Sequence, residues 1–133
     1  MRIQTFQTSV AAGAAPTNVL PDGLAVAPEP GFVTYAIVGD PITGLTAQAT
    51  HKFVRKGNIP VVDTSPVPLN GANAAFVGPD LRNLAMPPVA VDGSENLQLL
   101  IGGGAGATQT VRATVYFAAT DELAQLLALF KSA

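Results

Sequence analysis

Residues Leu45–Lys56 read LTAQATHKFVRK and alternate between apolar and polar side chains along most of their length. Successive side chains of a strand point to opposite faces, so this period of two is the signature of a half-buried strand. Apart from Val54, the two faces separate cleanly. The first carries Leu45, Ala47, Ala49, His51 and Phe53, and the second carries Thr46, Gln48, Thr50, Lys52 and Lys56. We therefore expect one face of this strand to lie on a core.

Two further stretches alternate in the same way, Gln109–Ala118 (QTVRATVYFA) and Asn96–Ile101 (NLQLLI). The glycine-rich segment Gly102–Thr108 separates them, and we expect the two strands to form an antiparallel hairpin across it. Phe32–Val38 (FVTYAIV) is apolar on both faces, which is typical of a central or interface strand. Weaker patterns predict strands at Ile3–Val10, Asn18–Ala27, Phe32–Gly39, Ile59–Asp63, Ala74–Val77 and Val89–Asp92.

The only good helical pattern is at the end of the chain, Asp121–Lys131, with Thr120 as its predicted N-cap. Its main apolar positions follow the spacing i, i+3, i+4, i+7: Leu123, Leu126, Leu127 and Phe130. The helix's own apolar side chains cover almost its whole circumference, and a helix this short is only marginally stable by itself. We expect it to pack on its own sheet and to present these four residues as a subunit interface.

Together the patterns predict one domain over residues 1–133, all-β and mainly antiparallel: a β-sandwich of jelly-roll type with one short C-terminal helix. Frequent Pro and Gly, 11 and 13 residues, divide the chain into the short segments of such folds. Residues 1–17 form either an extended arm or part of the fold. Residues 64–86, rich in Pro, Gly and Asn, are expected to form a long loop.

The composition argues against catalytic and metal sites. The chain has no Cys, one His and 12% charged residues, against about 25% in an ordinary soluble domain. Such sites need titratable groups gathered in a pocket, and the sequence gathers none. We expect no enzyme, no cofactor and no metal; catalysis would need carboxylates such as Asp63 and Asp80 to meet in a cleft. No apolar run approaches the roughly 20 residues of a membrane span, and residues 1–10 lack the apolar centre of a signal peptide.

The segment Gly102–Ala107 (GGGAGA) resembles a phosphate-binding loop only superficially. That fingerprint needs a helix immediately afterwards, because the helix N-terminus holds the phosphate. A strand pattern follows here instead, so we interpret the segment as a flexible loop. The lone His51 lies on the apolar face of its strand and is expected to be a core residue with a backbone partner.

Basic residues cluster at Lys52, Arg55 and Lys56. If their strand pairs near Gln109–Ala118, then Lys52, Lys56, Arg112 and Tyr116 share a polar face that is a candidate nucleic-acid surface. Two other interpretations stay open: charges that discourage edge-to-edge aggregation, or ion pairs across a subunit interface to Asp63, Asp80 or Asp92. With seven Lys and Arg in total and a net charge of −2, nucleic-acid binding is not expected.

Apolar composition with little surface charge predicts a protein that buries surface against copies of itself. The segment VRATVYFAATDELAQLLALF, a strand leading into an acid-started helix, resembles the end of the coat proteins of small RNA phages. It has one helix where they have two, and far fewer basic residues. We expect a bacteriophage virion protein, a capsid, coat or decoration subunit assembled in the host cytoplasm, whose partners are its own copies or a second capsid protein. The alternative is a non-catalytic module that binds carbohydrate or another ligand.

Overall fold

A computed structural model describes residues 1–20, 26–39, 48–68, 85–104 and 108–131. Within these ranges the chain forms eight strands and one α-helix. The strands are β1 (Arg2–Val10), β2 (Thr17–Asn18), β3 (Gly31–Gly39), β4 (Thr50–Arg55), β5 (Ile59–Pro66), β6 (Val89–Val91), β7 (Gln98–Gly102) and β8 (Gln109–Ala119). The helix is α1 (Leu123–Lys131), and 3-10 turns occupy Lys56–Asn58 and Thr120–Glu122.

The strands form two four-stranded sheets in which every pair of neighbours is antiparallel. Sheet I has the order β1-β8-β3-β6, and sheet II has the order β2-β7-β4-β5. The pairs are nested in the chain: β1 with β8, β2 with β7, β3 with β6 and β4 with β5. The predicted fold, mainly antiparallel β with one short C-terminal helix, is confirmed at this level.

The two sheets share one hydrophobic core. Sheet I contributes inward side chains such as Tyr35 and Val115, and sheet II contributes Phe53 and Leu99, all fully buried. The rings of Tyr35 and Phe53 stack with centroids 5.4 Å apart. Each large apolar side chain removed from water stabilises the fold by about 1.5–3 kcal/mol. The period of two in the sequence is therefore the pattern of this shared core.

The expected hairpin between Asn96–Ile101 and Gln109–Ala118 is wrong. The first stretch ends in β7, which pairs with β2 and β4, whereas β8 pairs with β1 and β3 in the other sheet. Both strands have one strongly apolar face. In the structure these faces meet across the core, with Leu99 and Val115 in the same cluster, and the strands do not lie side by side.

The described part of the glycine-rich segment, Gly102–Gly104, packs on its own chain. The N–H of Gly103 donates to the carbonyl of Ala14 over 3.0 Å, and the N–H of Gly13 donates to the carbonyl of Gly104 over 2.7 Å. A Cβ on Gly103 would lie 2.0 Å from the carbonyl oxygen of Ala11, so only glycine allows this approach. Residues 105–107 lie outside the described residues, and the strand β8 follows them, not the helix that a phosphate loop requires.

Residues 1–17 are part of the fold of their own chain. Strand β1 pairs with β8 of the same chain over nine consecutive positions, and Thr17–Asn18 form the short strand β2. The N-terminal segment therefore completes its own sheet. The prediction for Asn18–Ala27 holds only for β2 and an isolated bridge between Val26 and Asn96, with residues 21–25 outside the described residues.

Other boundaries differ by a few residues. β4 begins at Thr50 and ends at Arg55, because Gly57 and Asn58 adopt positive φ angles and turn the chain into β5. β5 continues to Pro66, so the predicted long loop cannot begin before Val67. The predicted strand Ala74–Val77, the rest of that loop through Leu84, and Leu45–Ala47 lie outside the described residues. β3 is buried on both faces, as its sequence predicted.

Candidate functional site

Helix α1 packs on the outer face of sheet I through Leu126, a residue of its predicted stripe. Leu126 is fully buried in a small cluster with Tyr116, Ala118 and Phe32. Leu123 is half-buried, while Leu127 is 41% exposed. The side chain of Phe130 lies outside the described residues. Of the predicted interface residues, Leu126 thus packs in the chain's own fold, whereas Leu127 is exposed.

The helix start differs from the prediction. Thr120 does not cap it; its hydroxyl donates to the carbonyl of Pro30 over 3.3 Å. The Glu122 carboxylate accepts the N–H of Ala119 over 2.9 Å and the amino group of Met1 over 2.5 Å. These two hydrogen bonds hold the pKa of Glu122 below its usual value, and the bond from Met1 has the larger effect. Glu122, two residues after the predicted cap, therefore joins the start of β1 to the start of the helix.

Three exposed apolar side chains lie at this end of the molecule, and we call them the helix patch: Met1, Ile3 and Leu127. Ile3 stands opposite Tyr116 in the β1–β8 ladder, and Leu126 packs on that tyrosine from the helix. Ile3 therefore lies on the outer face of sheet I, the face on which the helix packs. The other exposed large apolar residues among those described are Val26, at an isolated bridge to Asn96, and Ile59, at the start of β5.

The predicted polar face of Lys52, Lys56, Arg112 and Tyr116 is not brought together. Lys52 lies on β4 in sheet II, whereas Arg112 and Tyr116 lie on β8 in sheet I, so the strand pairing on which that face depended is absent. Tyr116 is buried, and burial raises the pKa of its phenol. The side chain of Lys56 lies outside the described residues. Lys52 lies near Asp63 of its own chain, with a distance of 3.9 Å between Nζ and Oδ1.

The third residue of the basic cluster, Arg55, binds a buried acid that sequence analysis missed. Its Nε donates to Oε1 of Glu95 over 2.8 Å, and its Nη2 donates to Oε2 over 3.2 Å. The Glu95 side chain is fully buried, and Oε2 also accepts the N–H of Asp92 over 2.8 Å. Two forked donors and one backbone donor are strong compensation for a buried carboxylate. Forty positions separate the partners, so no local pattern pointed to this pair.

An open crevice of about 380 Å³ lies beside this ion pair. Its polar lining comes from three different parts of the chain: the β4–β5 turn with Arg55 and Asn58, the segment with Asn96 and Gln98, and Asn18 of β2. Val26, Val54 and Leu97 supply the apolar lining. The carbonyl oxygen of the Asn18 side chain accepts the N–H groups of Leu20 and Leu99, which fixes the orientation of the amide. Amides and a guanidinium around such a space suit a polar, uncharged or anionic ligand.

His51 is a core residue, as predicted, although its partner is a side chain and not the backbone. Its Nδ1 lies 2.8 Å from the hydroxyl of Tyr35, which reaches across from the other sheet. Burial raises the pKa of Tyr35 well above its usual value, so the phenol stays protonated and donates to Nδ1. Burial also lowers the pKa of His51, which favours the neutral ring as acceptor. The pair links the two sheets inside the core.

Within the described part of the chain, no group of three or more His, Asp or Glu side chains is close enough to hold a metal ion. Asp63 is strongly exposed at the edge strand β5, and Asp80 lies outside the described residues. Over those same ranges, no helix has the length and apolar character needed to cross a membrane.

Comparison with known proteins adds no relative. The chain matches no family model, no curated protein and no solved structure. The resemblance of the C-terminal segment to the coat proteins of small RNA phages has no support from these comparisons.

Proposed function

We propose that this chain is a self-assembling structural subunit of a virion, a capsid, coat or decoration protein of jelly-roll type, without catalytic activity. One observation carries the proposal: the strand pairs are nested, β1 with β8 outermost and β4 with β5 innermost. A long antiparallel hairpin that is rolled over a core would give this pairing, and this supports the jelly-roll part of the proposal. That architecture recurs in viral capsid subunits and in lectin domains.

The surface supports an assembling role for this fold. The helix patch exposes Ile3 and Leu127 next to a helix in which Leu126 is the one buried residue among the described side chains. Only 12% of the residues are charged, so the chain has few charges to keep copies apart. Because fold alone does not decide function, this apolar surface is the feature that favours assembly among the roles of a jelly roll. The partners are copies of the chain, joined or not by a second capsid protein, and the location is the virion.

The test is the mass of the purified protein in solution by light scattering over a range of concentrations, with negative-stain imaging of the same sample. We expect shells, rings or defined oligomers. Leu127→Asp should yield smaller particles or soluble subunits, because it places a charge in the apolar contact. Gln125→Asp adds the same charge at another exposed position of α1 and should assemble like the unmodified chain.

A monomer at every concentration would contradict self-assembly. It would favour the second candidate, a ligand-binding module, for which the crevice lined by Asn18, Arg55 and Asn96 is the specific observation. Amide and guanidinium groups bind hydroxyl and carboxylate oxygens well. The described lining holds no aromatic ring on which a sugar would stack, and for this reason we rank the module second.

A further inference from the structure

The two sheets have four edge strands, and three of them are protected against pairing with another chain. β2 has two residues and β6 has three, too few for a stable ladder. β5 has eight residues, but it contains Pro60 and Pro66, and its register with β4 is irregular. Short length, proline and bulges are the usual ways in which proteins protect sheet edges.

Strand β1 has none of these protections. Its nine residues pair with β8 in an unbroken register from Arg2 opposite Phe117 to Val10 opposite Gln109. It contains no Pro, no Lys and a single charged residue, Arg2. Its other edge has no strand beside it among the described residues, and most of its side chains are exposed. A long, regular and nearly uncharged edge is a template for pairing with a further strand.

We propose that β1 pairs with β1 of a second copy of this chain, antiparallel and about a twofold axis. The two copies of sheet I then form one continuous sheet. This contact rests on the proposed function, since it supplies one of the interfaces that a self-assembling subunit needs.

The sequence of β1 is compatible with itself when the axis passes through Phe6. Ile3 then faces Ser9 of the second copy, and Arg2 faces Val10, so that no like charges stand opposite each other. The two Phe6 rings meet at the centre, where cross-strand aromatic pairs are favourable. In the single chain Phe6 packs on the margin of the core and is only partly buried. This register also keeps the core-facing residues of both copies on one face of the joined sheet.

The opposition of Ile3 and Ser9 gives a test by charge, because both side chains are exposed and neither belongs to the shared core. In the variant Ile3→Lys with Ser9→Lys, each lysine faces a lysine of the second copy, and this happens twice by symmetry. In Ile3→Lys with Ser9→Glu, each lysine faces a glutamate. Like charges opposite each other destabilise a strand pair and unlike charges stabilise it. The dissociation constant is measured by sedimentation velocity, with Thr64→Lys on β5 as the control at another edge.

We expect the double-lysine variant to weaken association by about tenfold or more. The lysine–glutamate variant should associate about tenfold or more tightly than the double-lysine variant, because both lose Ile3 from the helix patch equally and differ only in the charge at Ser9. Thr64→Lys should have no effect. If the double-lysine chain does not fold, as judged by its melting curve, the comparison is made between mixed and separate samples of Ile3→Lys and Ser9→Glu chains. The mixture should then associate more tightly than either chain alone.

Two other results would overturn the proposal. If the unmodified chain associates and the lysine–lysine and lysine–glutamate variants behave alike, β1 is not the contact, although the proposed assembling function stands. If the unmodified chain is a monomer at every concentration, both the contact and the proposed function fail.

Discussion

The two sheets use the same strand chemistry in opposite ways. In sheet I, the central strands β3 and β8 are buried on both faces, and even outward residues such as Thr34, Val38 and Thr114 are enclosed. In sheet II, outward residues such as Lys52 and Gln98 are half-buried or exposed. A strand covered on both sides carries small or apolar side chains throughout, whereas a strand covered on one side alternates between apolar and polar side chains. The difference indicates that sheet I holds the fold together and that sheet II presents a solvent face.

The largest effect should come from a matched pair of aspartates on the outer faces. Val38 stands opposite Arg112 in sheet I, and Leu100 stands opposite Lys52 in sheet II, so either aspartate faces a basic residue. Val38→Asp buries a charge and should lower the free energy of unfolding by about 4 kcal/mol. Leu100→Asp lies on the open face and should cost about 1 kcal/mol.

Urea unfolding of the two variants measures this difference. Val38 is 2% exposed, and a small loss at this position would show that the outer face of sheet I opens to water in solution. In that case the contrast between the sheets would not hold.

A smaller effect should distinguish the two ion pairs near sheet II. Arg55→Ala removes both guanidinium donors from the buried Glu95 carboxylate, and we expect a loss of about 2 kcal/mol, less than for a fully enclosed pair because Arg55 is partly exposed. Lys52→Ala removes a surface pair with a 3.9 Å separation and should cost no more than about 0.5 kcal/mol. Thermal unfolding of both alanine variants checks the order. Equal losses would mean that Glu95 gains other donors when Arg55 is removed.

The smallest effect concerns the pair that joins the sheets, Tyr35 and His51. Burial lowers the pKa of His51 in the folded protein, so below pH about 6.5 the unfolded chain binds a proton that the folded one does not. Stability should therefore fall as the pH decreases from 7 to 5, with a slope of at most about 1.4 kcal/mol per pH unit. His51 is the only histidine, so His51→Gln should remove this slope. Unfolding free energies at several pH values give the comparison, and equal slopes in both proteins would contradict the assignment.

Local pattern was enough for much of the fold. The alternation of Gln109–Ala118 and the apolar run Phe32–Val38 predicted β8 and β3, and the spacing of Leu123 and Leu126 predicted α1. The burial of His51 also followed from its place between Ala49 and Phe53. These features depend on neighbours within a few residues, and for that reason the sequence predicts them.

The positions of the candidate site residues could be predicted less well, because they depend on contacts between distant parts of the chain. Leu126 and Leu127 are adjacent in one apolar stripe, but only the packing against Tyr116 shows that the fold buries Leu126. The sequence allowed Lys52 and Arg112 to share a face if their strands paired, yet the two strands belong to different sheets. Asn18, Arg55 and Asn96 meet at the crevice although nearly 80 positions separate the first from the last.

The sequence by itself determined that β3, β4 and β8 are strands and where the helix lies, because backbone geometry imposes those periods locally. Only the tertiary structure decided which strands pair. An apolar face is satisfied equally by a neighbour in the same sheet or by a facing strand across the core, and the choice between them depends on the whole chain. That choice separated β7 from β8, placed Glu95 beside Arg55, and left β1 as the one long, regular edge among the described strands.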